Sequence, residues 1–511
     1  MTTYLFCIGG TGARVLRSLT MLLASGAKIG KGDSIVPIII DYDITNGDLS
    51  RTQTLLDRYS WLHDIAVYGK DEAGFFSAPL QLRDFSFVDI KNEVGRETFK
   101  KYLDFPTLQN VSPSTAALMT ALYDDSPIDD PRTELNLELS KGFKGNPNIG
   151  SVVFNEYFSN PKYGYSSFRG NFKEGDRVFI VGSIFGGTGS SGLPSLVKKF
   201  RQSGNTTNVG NNPHLKDAPI GTCVVLPYFD VAQKDTSAIN SLTFMSKAKA
   251  ALTYYDGEIN KKLNEIYYIG CLKSKVAYPN FEGGPEQRND AHIVELLSAM
   301  SVLEFVNRET KEMVNLDSEG DLVANKYEYQ TSTGIVKKDD VAQLPDPAYF
   351  NALAIPADTD AGVYGKYGKY MNMFAYFAKY CMDYTFAGKD EGSILGQNYY
   401  KGKSGLGRFI NVETDFGDNL FKFCELFKDW TYELGTNSLL AFKPYDFSHD
   451  MSLLLNIQDE TTKVKKYPDD YRTPLNKEYD DLGGADYENK CGQFLRMGYK
   501  ASEVAVHKLV R

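Results

Sequence analysis

Two short apolar runs in this chain each break at a glycine-rich turn and resume as a helix. No other feature restricts the fold as much. The first run is Tyr4-Leu-Phe-Cys-Ile8, followed by Gly9-Gly-Thr-Gly12 and then by Ala13, Val15, Leu16, Leu19, Leu22 and Leu23 at helical spacing. A short run that is apolar throughout suits a strand buried on both faces of a parallel sheet. A second apolar stretch, Ile35-Val-Pro-Ile-Ile-Ile40, ends at Asp41-Tyr-Asp43 and completes a β-α-β unit. Parallel neighbours need such a crossover, so the unit predicts an α/β fold with a doubly wound, mostly parallel sheet. The grammar repeats at Asp176-Arg-Val-Phe-Ile-Val-Gly182, which leads into Phe185-Gly-Gly-Thr-Gly-Ser-Ser-Gly192 and a helix through Phe200.

Further strands are expected at 220–229 and 266–270, with a helix over 236–255. In 291–308 the residues Ile293, Leu296, Leu297, Met300, Leu303 and Val306 form a continuous apolar stripe, the mark of a core-facing central helix. Residues 45–132 mix aromatics, acids and turn formers without a sustained period and read as an insertion with some helix of its own. Beyond Gly320 the chain becomes rich in Tyr and Gly, with helices near 367–385 and 417–434. The expected division is a nucleotide-binding domain over 1–310 and a C-terminal α+β domain of unrecognised type over 311–511.

Composition removes several functions. Lys and Arg number 56 against 65 Asp and Glu, a net charge of −9, so a general nucleic-acid binder is not expected. The six cysteines form no C-x-x-C pair, and no signal peptide is evident, which predicts a reducing, cytoplasmic location. The five histidines stand far apart with no H-E-x-x-H, leaving a zinc hydrolase without ligands and no metal site expected. No apolar run approaches the ~20 residues of a membrane span.

A glycine turn between strand and helix lets backbone N–H groups approach an anion closely, so both turns are candidate phosphate cradles. A P-loop is not the answer: Gly396 to Gly402-Lys403-Ser404 has one residue too many and no preceding strand. Gly187-Thr-Gly189-Ser-Ser-Gly192 does satisfy the dinucleotide fingerprint G-x-G-x-x-G, which keeps a Rossmann-type oxidoreductase as a lower alternative. Against it, that fingerprint lies deep in the chain, and the first loop has Val15 where a small residue belongs.

The segment from Asp176 to Gly192 resembles the GGGTGSG signature of the tubulin/FtsZ superfamily, with Phe185 in place of the first glycine and Ser191 in place of the last. Other segments resemble family motifs in the same order. Ile8-Gly-Gly-Thr-Gly-Ala13 is similar to the first glycine loop, and Ile40-Asp-Tyr-Asp43 to the strand end that reads NTD in FtsZ. Lys141-Gly-Phe-Lys-Gly-Asn-Pro-Asn-Ile-Gly150 resembles the stretch GAGGNPEVG that wraps the terminal phosphates. Leu226-Pro-Tyr-Phe229 resembles the next strand end, and Gln287-Arg-Asn-Asp-Ala291 the start of the central helix. The likeness covers about residues 1–320, with insertions at 45–132 and 201–217, and suggests a divergent bacterial tubulin-like protein.

The resemblance implies that Gly9, Gly10, Thr11, Gly12, Ala13, Asp43, Gly142, Gly145, Asn146, Gly186, Gly187, Thr188, Gly189 and Ser190 surround the phosphates of GTP or GDP, with Mg²⁺ bridging phosphate oxygens. It implies that Asn289 and Asp290 contact the guanine base, although both residue types also suit a helix N-cap. Met313-Val-Asn-Leu-Asp317 resembles the FtsZ stretch LMNVD, which makes Asn315 and Asp317 candidate catalytic residues that complete the pocket of a neighbouring subunit, with Glu319 or Asp321 as a second acid. A solvated acidic turn accounts for the same residues. The implied activity is GTP hydrolysis at head-to-tail contacts of a homo-oligomer or filament. The alternative is a tubulin-fold nucleotide switch or scaffold that does not polymerise and serves an unidentified protein partner.

Overall fold

The computed structural model describes residues 1–30, 32–69, 72–83, 97–130, 132–159, 164–203, 212–233, 237, 239, 241–270, 277–318, 321–330, 341–343, 362–382, 414–437, 445–448, 454, 469–482 and 488–509. Glu319 and the segment from Gly396 to Ser404 lie outside them.

The chain runs β1 (Thr2–Ile8), α1 (Gly9–Ala24), β2 (Ser34–Ile40), α2 (Gly47–Ala66), α3 (Pro147–Tyr157), β3 (Arg177–Ser183), α4 (Gly187–Arg201), β4 (Ile220–Val225) and β5 (Asp230–Val231). It continues through α5 (Ser241–Tyr254), β6 (Glu265–Gly270), β7 (Ala277–Tyr278), α6 (Ile293–Asn307), β8 (Asn325–Gln330) and β9 (Val341–Gln343). The helices α7 (Gly362–Tyr380), α8 (Thr414–Thr436), α9 (Asp469–Asp481) and α10 (Lys490–Leu509) follow. Short helices over 99–122 connect α2 to α3.

One seven-stranded sheet has the order β2-β1-β3-β4-β6-β8-β9, and every neighbouring pair is parallel. The doubly wound α/β fold expected from the two glycine turns is therefore present. Side chains alternate across the sheet, as a period of two requires. Leu5, Cys7, Phe179 and Val181 enter one apolar cluster with α1, α2 and α6, whereas Tyr4, Phe6, Ile8, Val178 and Ile180 enter another with α3 and α4. Along the outer side of β2, Ile35 is already used: its N–H donates to Pro79 (3.1 Å) and its carbonyl accepts from Gln81 (2.9 Å). Pro37, two residues on, has no N–H to offer.

Helix α6 is apolar on every side and correspondingly buried almost throughout. Residues on both sides of position 310 build one sheet and one cluster: β8 pairs with β6, and Phe374, Phe423, Phe427 and Trp430 from α7 and α8 join α1 and α6 in the core. Trp430 Nε1 donates to Ser18 Oγ at 3.3 Å, and Arg496 on α10 pairs with Glu72. Among the described residues, no helix is long and apolar enough to cross a membrane, and no cluster of His, Cys, Asp and Glu is fit for a metal.

Candidate functional site

In a doubly wound sheet, ligands bind beyond the C-terminal ends of the strands where the winding changes direction. Here that point lies between β1 and β3, and both glycine turns stand on it. They line one cleft together with the 141–145 segment, Asp41 and Asp43 after β2, and residues 279–289 before α6. Segments almost 300 residues apart in sequence thus share one wall.

The cleft is suited to an anion. Helices α1, α3 and α4 all begin at its glycine segments, and none has a side-chain N-cap or an acid in its first turn. The leading N–H groups of α1 and α4, with the positive ends of their dipoles, are left for another acceptor, whereas α3 opens on Pro147, which has no N–H and lines a neighbouring cavity. Two other long helices do the opposite. Asn46 caps α2, and His292 with Glu295 forms a capping box on α6. Among side chains the lining is balanced, with Arg14, Lys141 and Lys144 against Asp41, Asp43 and Glu282, so the anion-favouring contribution comes from the backbone.

The glycines have distinct reasons to be glycine. Gly9, Gly142 and Gly145 hold φ of +71°, +77° and +78°, which side-chain-bearing residues rarely adopt. A Cβ on Gly12 would lie 2.6 Å from the Cys7 carbonyl carbon, and one on Gly189 would lie 2.5 Å from the Ser183 carbonyl oxygen. Those two positions are fixed by packing of helix on strand. Gly10 differs, since a Cβ there would meet nothing closer than 3.5 Å.

Of the residues named from sequence, Gly9, Gly10, Thr11, Asp43, Gly142, Gly145, Gly186, Gly187, Thr188, Gly189 and Asn289 line the cleft. Gly12 and Ala13 are buried behind it. Asn146 starts α3 beside Gly187 without facing the cleft. The Ser190 hydroxyl turns back to the Gly186 carbonyl, and its side lines a separate cavity. Asp290 is exposed and not part of the lining; burial of its neighbourhood and the nearby Glu433 raise its carboxyl above the ordinary value. Asn289 is 6% exposed, and its side-chain amide makes no hydrogen bond among the described residues. Phe185, the departure from the family's glycine, packs against Phe244 at 5.0 Å and Phe229 at 5.6 Å, where it forms part of an aromatic wall.

Sequence reasoning missed the buried network behind Asn289. The Arg14 guanidinium, two residues past the first glycine loop, donates to Asp48 (2.6 Å), Glu295 (2.6 Å) and the Tyr228 hydroxyl (2.8 Å). Asp48 in turn accepts the backbone N–H of Asn289 at 3.0 Å. Burial raises the Asp48 and Glu295 carboxyls above their usual values, opposed by Arg14. His292, at the head of α6, accepts from Val294 N–H through Nδ1 (3.1 Å). Its Nε2 has no hydrogen-bond partner among the described residues, and burial lowers the imidazole to about 3, reinforced by Arg14. The legible signal was charge on otherwise apolar helix faces: Arg14 in α1 and Glu295 in α6.

The cavity encloses about 160 Å³, below the roughly 300–1,000 Å³ of most ligand pockets. One cause is visible in its lining. Lys144 and Glu282 form an ion pair at 2.8 Å that ties the glycine segment to the 279–289 segment. Asp43 adds a second tie, its Oδ2 accepting the Gly284 N–H at 2.5 Å.

Asn315 and Asp317 lie elsewhere. Asn264, just before β6, donates to the Met313 carbonyl at 3.2 Å and accepts from the Asn325 N–H at 2.9 Å. The 315–323 hairpin is therefore at the N-terminal ends of β6 and β8. Because all strands are parallel, that is the pole of the sheet opposite the cleft, about 20 Å away by strand length. Asp317 Oδ1 accepts the Asp321 N–H at 2.9 Å, and Leu316 beside it is 59% exposed.

No family model matches this chain, and neither does any curated protein. Among solved structures it is similar to CetZ2 from Haloferax volcanii, determined as a GTPgS-bound protofilament, with 13% identity and a TM-score of 0.27. The match covers 62% of this chain and 61% of CetZ2, so less than two thirds of that protein is spanned. Fold and cleft define a doubly wound α/β protein with an anion-suited crevice at its switch point.

Proposed function

We propose that the chain binds a guanine nucleotide in this cleft, in the manner of the tubulin/FtsZ superfamily that its motifs resemble. The observation that carries the reading is convergence. Three glycine segments, each opening an uncapped helix, meet at the switch point of the sheet. In this reading the leading N–H groups of α1 and α4, with Thr11 and Thr188, hold the phosphates, and Lys144 leaves Glu282 to pair with them. The Asn289 amide contacts the base against the aromatic wall of Phe185 and Phe229. Asp41 and Asp43 are the lining carboxylates that would hold Mg²⁺, an ion for which one or two carboxylates beside substrate phosphates suffice. When bound, Mg²⁺ would neutralise charge on the transferred phosphoryl group.

Hydrolysis in this reading needs two copies. Asp317 cannot reach its own cleft from the opposite pole, whereas head-to-tail stacking brings one copy's hairpin over the next copy's cleft. Its carboxylate would then orient the attacking water and accept its proton. Mass spectrometry of nucleotide released from the purified protein tests the reading, together with displacement of labelled GTP by ATP or NAD. Guanine nucleotide and weak competition are expected. Released NAD, or ATP competing equally, would replace it with a dinucleotide or adenine-binding function.

A further inference from the structure

A second, larger cavity of about 600 Å³ lies between α3, α4 and α5, within the range of ordinary small-molecule sites. Three lysines line it, Lys198, Lys199 and Lys247, and no acidic side chain does among the described residues. Among the described residues, none of the three ammonium groups is neutralised by a close carboxylate. Lys247 donates to the Gly145 carbonyl (2.7 Å), Lys199 to the Ser159 hydroxyl (2.7 Å), and Lys198 lies 5.0 Å over the Tyr254 ring. Glu134 acts on Lys247 only from outside the lining. Burial lowers Lys199 and Lys247 below the usual lysine value, a penalty that an anion in the cavity would offset.

The remaining wall is mixed: amide and hydroxyl side chains such as Asn148, Asn155 and Gln202 are polar, while Ile184, Pro194 and the ring of Tyr254 supply an apolar part. Tyr255 is 1% exposed, lines this cavity, and its hydroxyl has no hydrogen-bond partner among the described residues. A buried hydroxyl left unpaired costs about 1–3 kcal/mol. The helix also changes to π geometry at Tyr255–Ile259, a local distortion frequently found at functional sites.

We propose that this cavity is a second ligand site, for a small amphipathic anion with a flat apolar body and one acidic group. The acidic group pairs with the lysines, and the body lies against Tyr254 and Ile184. The site is separate from the glycine cleft and stands whether or not that cleft takes a nucleotide. Lys247 joins the two, since its ammonium holds the carbonyl of Gly145 in the cleft wall.

The test is a fluorescence titration of the full-length protein with 1-anilinonaphthalene-8-sulfonate, in saturating GTP and Mg²⁺ to keep the dye out of the cleft. Saturable binding is expected, with the uncharged N-phenyl-1-naphthylamine at least about tenfold weaker. Lys198→Glu should weaken the sulfonate by about tenfold or more, and Ala250→Trp, at an exposed lining position, should weaken it several-fold by taking up part of the space. Circular dichroism and melting temperature establish that both variants fold. Folded variants that bind the dye like wild type, or a wild type that binds both dyes equally, would overturn the proposal.

Discussion

At the scale of single residues, glycines that look alike in sequence separate by what surrounds them. Gly10→Ala places a methyl in the cleft with no contact closer than 3.5 Å, so the melting temperature should hold while affinity for GTP falls by about tenfold or more. Gly189→Ala instead drives a methyl into the Ser183 carbonyl and should lower the melting temperature as well. Paired melting and nucleotide titrations check both. A folded Gly10→Ala protein with unchanged affinity would detach the first glycine loop from the ligand. Glu282→Gln releases Lys144 from its ion pair, and several-fold tighter nucleotide binding is expected, about 3- to 10-fold. Weaker binding in that variant would mean that Glu282 contacts the ligand itself. The glycines were legible because spacing alone marks a strand–turn–helix. Arg14, Lys144 and Glu282 were not, because their importance lies in partners 34 to 281 residues away for Arg14 and 138 away for Lys144, a pairing that only the folded chain defines.

At the scale of elements, α6 shows why a clean stripe can conceal its most consequential residues. Its apolar period announced a buried helix correctly, yet the same regularity drew attention from His292 and Glu295 at its head. His292 stays neutral in the fold at about 3, against about 6.5 unfolded, so the native state binds fewer protons between those values. Its contribution to stability is complete above pH 6.5 and is lost as pH falls below that, by at most about 1.4 kcal/mol per pH unit. Urea unfolding of wild type and His292→Asn, which keeps a cap acceptor, should show the steeper loss between pH 6.5 and 5 in the wild type. Superimposable profiles would show that His292 is charged in the native protein. The strands and α4 were equally readable, since continuous apolar runs bounded by glycine leave few alternatives. Helix α2 was less readable although its buried positions, Thr52, Leu55, Leu56, Tyr59 and Leu62, keep helical spacing, because Trp61 and Ile65 beside them and the acids between them blur the stripe.

At the scale of the whole molecule, the C-terminal helices hold the Asn289 end of the cleft from outside. Glu433 on α8 accepts from Arg17 (2.7 Å), from Arg51 and from the Ala291 N–H (2.8 Å), just beyond Asn289 and Asp290. Glu433→Ala leaves two arginines without their shared carboxylate, and a loss of about 2–4 kcal/mol in urea unfolding is expected. The opposite placement of cleft and 315–323 hairpin makes a second prediction. Asp317→Ala should bind GTP normally and lose about 10²–10⁴-fold of turnover, while wild-type turnover per subunit should rise with protein concentration. Phosphate release from a mixture of Asp317→Ala with Gly10→Ala should partly recover, as each supplies what the other lacks. Concentration-independent hydrolysis would leave the non-polymerising nucleotide switch as the better account.

The outer side of β2 bears on how copies of this chain can and cannot meet. In a parallel strand alternate residues face the open side, so Ile35, Pro37 and Ile39 would have to receive any added strand. Ile35 is already bonded to 79–81, and Pro37 has no proton to give, which leaves one usable N–H in the row. A lone donor cannot template strand addition, so this margin of the sheet is closed to runaway cross-β growth and to swapping of strands between copies.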